Sequence, residues 1–311
     1  MMKYLIILLD ESSPSFCHYT VKHREAKLIS YDHLAAGIRF AMAENLTVQL
    51  VYPSYPLPID YMELIDTVDH SEIASVNAAI DVDARICDSF DQLSSLPQNA
   101  IAILRVTTKE FIKQSNKLLK QVDRLCRVNI VFTDIDSLSE DVFAKYKLVL
   151  EELSESIQSK LRENPNISLN ILTDRLFLTG SNQCNAGVDS LTLAPNGKLY
   201  ICPAFYYDEE QCVGTPENGY FIPNAQLLRL DHAPICRKCD AWQCRRCVWL
   251  NKKMTWDINT PSHEQCVLSH LERNAAQSIQ KQLMIDGWKF AHPIPNISYL
   301  DPFDIINKFS K

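Results

Sequence analysis

The chain has 311 residues, 46% hydrophobic and 22% charged, with a formal net charge of −7. That balance describes a globular chain of one large or two ordinary domains and gives no support to bulk nucleic-acid binding. No stretch approaches the roughly 18 to 20 apolar residues of a membrane span, and the seven glycines build no GxGxxG or GxxxxGK[ST] phosphate loop.

The first 180 residues alternate strand and helix patterns. The apolar run Tyr4 to Leu9 reads as a strand, Tyr31 to Glu44 as a helix and Thr47 to Tyr52 as a second strand. Further strands are predicted at Ile101 to Val106, Val128 to Thr133 and Leu169 to Leu172, with helices at Thr108 to Asp123 and Glu140 to Arg162. The mixed segment Tyr61 to Gln98 is expected to add one strand and one helix. Strand followed by helix, repeated, argues a parallel sheet. The opening MMKYLIILLDESSPS has one lysine and a six-residue apolar run, too short for a signal-peptide core. The expected location is therefore cytoplasmic, where thiols stay reduced.

Composition shifts near Gly180. Five of the seven glycines lie between Gly180 and Gly219, and eight of the eleven cysteines between Cys184 and Cys266. The chain divides accordingly into 1–180, a Cys-rich 181–272, and 273–311, in which the helical pattern Val267 to Met284 runs out into a Pro-containing tail, HPIPNISYLDPFDIINKF. That tail is expected to pack on the body.

Four cysteines sit in the string CRKCDAWQCRRC: Cys236, Cys239, Cys244 and Cys247. A CxxC pair lets two thiolates of one turn face a single ion while backbone amides donate to the sulfurs. Only four residues separate Cys239 from Cys244, so one self-contained four-cysteine site is cramped. The other arrangement splits the string between two centres completed by Cys184, Cys202, Cys212 and Cys266. Cys17, beside His18 and near His23 in the loop after the first strand, is a weak catalytic or metal-ligand candidate whose bland reading is a loop thiol. Cys87 and Cys126 are expected to be buried thiols. Phe205, Tyr206, Tyr207, Tyr220, Phe221, Trp242 and Trp249 are expected to wall off water around the cysteines. Arg245 and Arg246 either bond sulfur, attract an acidic leader peptide or are solvated charges.

The order CNAGVDSLTLAPNGKLYICP, then CRKCDAWQCRRC, then Cys266, resembles the SPASM domain of radical-SAM peptide-modifying enzymes, with Asn196-Gly197 as a hairpin turn. The match covers about 85 residues. The resemblance implies an α/β fold: a degenerate partial (β/α) barrel of the radical-SAM type followed by a small Cys-rich SPASM-like domain. It further implies one or two auxiliary 4Fe-4S iron–sulfur clusters. Cys236, Cys239, Cys244 and Cys266 would hold one; Cys184, Cys202 and Cys247 would hold the other, with one iron open or filled by Cys212. The spacing differs from the usual by one residue after Cys239 and one before Cys247. Zinc on the same thiolates is the alternative.

The CxxxCxxC loop of such enzymes is absent. Its place is taken by LDESSPSFCHYTVKHRE, and VYPSYPLPIDY stands where a GGE-like stretch is expected, so no residues are assigned to SAM. Chains of this kind resemble the CXXX repeat peptide maturases of ribosomal-peptide (RiPP) pathways. That likeness implies a maturase or accessory subunit, a Cys-rich precursor peptide and a companion maturation protein, with no nucleic acid or membrane as partner. The alternative is a non-enzymatic, zinc-stapled peptide- or protein-binding partner.

Overall fold

The computed structural model describes residues 2–22 and 25–291. His23 and the tail from His292 onward lie outside the described residues. In chain order the elements are β1 (Tyr4–Leu8), α1 (Tyr31–Ala43), β2 (Thr47–Val51), α2 (Ile59–Ile65), β3 (His70–Ser75), β4 (Ala84–Cys87), α3 (Phe90–Ser95), β5 (Ile101–Val106), α4 (Thr108–Leu118), β6 (Arg127–Phe132), α5 (Glu140–Glu163) and α6 (Asp174–Phe177). They continue with β7 (Ser190–Leu193), β8 (Leu199–Tyr200), α7 (Pro203–Tyr207), β9 (Gly214–Thr215), β10 (Gly219–Tyr220), α8 (Val248–Thr255) and α9 (His263–Ile285). The mixed segment holds two strands and two helices, because β3 and β4 are short and only partly buried and show no clear period.

Two compact units are interleaved along the chain. The first comprises residues 1–96, 100–105 and 185–229, the second 97–99, 106–184 and 230–311.

In the first unit the strands run in the order β10-β9-β8-β7-β1-β2-β3-β4-β5. From β7 to β5 all neighbours are parallel, and β8, β9 and β10 extend the edge antiparallel. β1 lies between β7 and β2, with Tyr4 opposite Ser190 on one side and Thr47 on the other. Leu5, Ile7 and Leu8 are fully buried, as a strand covered on both faces requires. Ser30 caps α1 by accepting from the His33 amide, and Gly37 lets that helix close on Leu193 and Ile7, where a Cβ would collide with the Leu193 side chain. The predicted hairpin turn joins β7 to β8: Gly197 has φ +77°, and a Cβ there would stand 2.6 Å from the His33 ring.

The second unit is built on a long helix pair, α5 packed along α9. Phe143, Tyr146, Leu150, Leu153, Ile157 and Leu161 recur at helical spacing on the buried side of α5. α9 buries Leu268, Ala275, Ala276, Ile279 and Leu283, together with the polar Glu272 and Arg273.

Leu169 to Leu172 is not a strand. Leu169 makes one parallel bridge to Val128 and the chain then turns. The Asn170 side chain supplies what the missing ladder would have given, accepting from the Ile130 amide at 2.8 Å and donating to its carbonyl at 2.9 Å. Thr173 Oγ1 meanwhile accepts from the Leu169 amide.

Candidate metal centre

Local backbone chemistry orients the cysteine string, all of it in the second unit. Cys236 opens a single 3₁₀ turn that ends with the Cys239 amide donating to the Cys236 carbonyl at 3.1 Å. The Ala241 amide points at Cys239 Sγ (3.4 Å), and the Leu250 amide at Cys247 Sγ (3.5 Å), so that Cys247 caps α8. Arg246, between the last two cysteines, takes φ +41°, a left-handed turn that folds the string back on itself. Its guanidinium is buried, donating to Asn259 at 2.6 Å and to the Cys236 sulfur. Arg245 is exposed. Residues 182–184 run alongside, with the Asn182 amide on the Trp242 carbonyl and the Cys184 amide on the Arg245 carbonyl, both at 2.8 Å.

The thiols act on one another. Cys236 feels Cys244 and Cys239, Cys239 feels Cys244, and Cys247 feels Cys184 and Cys244. Burial is the first cause of their upward pKa shifts: Cys236 and Cys247 are pushed up to about 12, and Cys239 and Cys244 also rise. A metal cation displaces thiol protons outright.

α9 forms the opposite wall. Ser262 caps it, and Cys266 and His270 follow one turn apart. His270 Nε2 lies 3.3 Å from Cys239 Sγ, and burial, followed by the charge of Arg273, pushes the imidazole down to about 4. Gln243 donates to the Ser269 carbonyl at 2.7 Å, and Tyr146 donates to the buried Glu272 at 3.1 Å. Arg175 stacks over Trp242 at 4.1 Å while its Nε donates to the Asp240 carbonyl at 2.7 Å, and Arg273 pairs with the Asp240 carboxylate. These contacts fix the string between its cysteines.

Five of the sequence-predicted ligands beyond or within the string, Cys184, Cys236, Cys239, Cys244 and Cys247, are thus tied together by bonds or mutual charge, and Cys266 shares their unit. Cys202 and Cys212 belong to the first unit, Cys202 buried at the start of α7 and Cys212 exposed. Among the described residues no three His, Cys, Asp or Glu side chains form a ready metal-holding group. The donor chemistry nevertheless suits a thiophilic metal: several neighbouring soft sulfurs with amides donating to them. Trp249 is buried and Trp242 half-buried against this region, whereas Phe205, Tyr206 and Tyr207 are core residues of the first unit and Tyr220 and Phe221 are exposed. Cys87 is fully buried and pushed up to about 12, but Cys126 is exposed, contrary to expectation.

The loop after β1, in the first unit, is a network of oxygen donors. The Asp10 carboxylate, fully buried, accepts from the Ser12 amide (2.8 Å) and the Ser12 and Tyr55 hydroxyls. Tyr206 donates to Glu11, and Tyr207 stacks on Tyr19 with ring centroids 5.4 Å apart. Cys17 and His18 are half-buried, and Arg105 holds the carbonyls of Cys17 and Tyr19 at 3.2 and 3.0 Å. One thiol among carboxylates and hydroxyls does not fit a cluster that needs three thiolates and a free iron.

No protein-family model and no curated protein matches the sequence. Among solved structures the chain is similar to native anSMEcpe with bound AdoMet and Cp18Cys peptide, with a TM-score of 0.61 at 11% identity over 92% of this chain and 100% of that one. Looser alignments are to Streptococcus suis SuiB bound to precursor peptide SuiA (TM-score 0.47, 11% identity, 86% of this chain and 76% of that one) and to SuiB bound to S-adenosylmethionine (0.45, 11%, 86% and 75%). The first likeness shows a shared fold, an α/β architecture with a large parallel sheet, as expected from the sequence.

Proposed function

We propose that this chain is a component of a ribosomal-peptide maturation system, related to the CXXX repeat peptide maturases, that binds a Cys-rich precursor peptide and works with a companion maturation protein. The SPASM-like segment 181–272 carries the metal, and the degenerate barrel 1–180 carries no SAM-cleaving cluster. The observation that carries this reading is the set of neighbouring, half-buried thiols at Cys236, Cys239, Cys244 and Cys247, the last three receiving backbone amides and the first the Arg246 guanidinium. The fold neighbour anSMEcpe, with bound AdoMet and Cp18Cys peptide, supports a peptide substrate.

One or two four-iron clusters, when bound, would supply electron transfer or an open iron for a substrate thiolate. The chain's own residues hold the sulfurs in place, and the indole of Trp249 excludes water. The exposed Arg245 stands on a groove of about 580 Å³ lined also by Phe177, Leu178, Ile167 and the Arg127–Asp174 ion pair. A cation beside apolar walls suits an extended peptide with an acidic residue.

Iron, sulfide and zinc measured per chain in protein purified without oxygen test the proposal. About four to eight irons with matching sulfide, as one or two four-iron clusters give, is the expected result. Zinc without sulfide would replace the maturase reading with the zinc-stapled binding partner. Cys236→Ala and Cys239→Ala should lose the metal, and Cys87→Ala should keep it; equal metal in all three would sink the ligand assignment.

A further inference from the structure

Spacing along the chain directs attention to cysteines, but the side chain that α9 brings onto the string is an imidazole. His270 Nε2 is 3.3 Å from Cys239 Sγ, across 31 residues of sequence. A tetrahedral metal with bonds of about 2.3 Å to sulfur and about 2.0–2.1 Å to nitrogen holds the two atoms about 3.5 Å apart. The observed pair therefore needs to open by only a few tenths of an ångström to take an ion between them. Cys236 opens the turn that Cys239 closes, its carbonyl accepting from the Cys239 amide at 3.1 Å, and Gln243, next to Cys244, donates at 2.7 Å to the carbonyl of Ser269, next to His270.

We infer that His270 is a metal ligand, its Nε2 joining the sulfurs of Cys236, Cys239 and Cys244 in a three-sulfur, one-nitrogen donor set at the position that the resemblance gives to Cys266. This rests on the metal-centre reading above. Cys266 precedes His270 by one turn on the same helical face, and the imidazole places its donor further from the α9 axis than a cysteine does. The Ala241 amide also donates to the Cys239 sulfur, at 3.4 Å. In the present arrangement the donors do not yet converge, and binding turns the sulfurs of Cys236 and Cys244 onto the ion as each thiol gives up its proton to solvent. Three thiolates and one imidazole suit zinc, and an imidazole also serves as a ligand to iron in iron–sulfur centres.

Cobalt(II) added to the reduced, chelator-treated full-length protein tests this. A bound imidazole gives a paramagnetically shifted, exchangeable ring N–H resonance, expected in the wild type and in Cys266→Ala and missing from His270→Ala. His270→Ala should keep thiolate-to-cobalt charge transfer but bind cobalt at least about tenfold more weakly, the lower end of what losing even an outer partner brings. His270→Cys should restore tight binding with stronger charge transfer, which guards against a folding defect in the alanine variant. Charge transfer in the wild type without a shifted imidazole resonance, or loss of cobalt in Cys266→Ala but not in His270→Ala, would overturn the assignment and leave the metal centre standing. No thiolate-to-cobalt charge transfer in the wild type would overturn both.

Discussion

Glu272 sits on the buried side of α9 with 7% of its surface exposed, and desolvation pushes its carboxyl up to about 8 against the donations of Tyr146 and Gln243. Its folded pKa lies above the ordinary carboxylate value, so between about 4.3 and 8 the native state binds the extra proton. The stability from that protonation is complete below about pH 4.3 and is lost as pH rises through 8, with a ceiling of about 5 kcal/mol for a shift of this size. Glu272→Gln keeps the shape and removes the titration. Urea midpoints of the metal-free protein should fall between pH 5 and pH 8.5 in the wild type and stay nearly level in the variant; parallel declines would exclude Glu272 as the titrating group. Neither Glu272 nor His270 was legible in the sequence. The clustering of the thiols was, because Cys236, Cys239, Cys244 and Cys247 are close neighbours in one loop of the sequence. The partners of Glu272 and His270 come from 126 and 31 residues away, and only packing of α5 and the string on α9 brings them together. The one available signal was that His270 follows Cys266 by four residues, the spacing of a shared helical face.

At the scale of elements, the helices α1 and α5 and the strands β1, β2 and β5 are legible to within a residue, from helical period and apolar runs, whereas α9 begins four residues before its expected start and α4 ends five before its expected end. Leu169 to Leu172 misled because its apolar residues are buried as a strand's would be, while a side-chain amide does the pairing. That substitution is testable. Asn170→Ala would leave the buried Ile130 amide and carbonyl without partners, and each such loss costs about 1–3 kcal/mol. A drop of about 2 kcal/mol or more in unfolding free energy is expected, against about 1 kcal/mol for Thr107→Ala, which breaks the capping box at the start of α4 with Glu110. If the two variants lost the same small amount, Asn170 would be an ordinary loop residue. The β7–β8 turn gives a third comparison. Gly197→Ala forces a side chain into left-handed backbone, worth about 1–2 kcal/mol, and drives it into His33.

At the scale of the molecule, sequence and contacts divide the chain on different grounds. The boundary proposed at residue 180 is one of composition, where glycines and cysteines begin. The compact units instead exchange the chain at residues 96–106, 184–185 and 229–230. β7, which follows residue 180, covers one edge of β1 along four residue pairs, Tyr4–Ser190 to Ile7–Leu193. α9, which also follows it, covers the apolar side of α5. A fragment of residues 1–180 would uncover the β1 edge beside the wholly buried Leu5 and Ile7, and uncover α5 residues such as Tyr146 and Leu150. An unpaired, apolar edge strand is a template for association. The fragment is therefore expected to aggregate when expressed alone and to become soluble when residues 181–311 are co-expressed, with size-exclusion chromatography reporting one complex of both pieces. A monomeric 1–180 with cooperative thermal unfolding would instead make residue 180 a folding boundary, and the metal-bearing segment would then be a separable module whose loading could be followed in isolation.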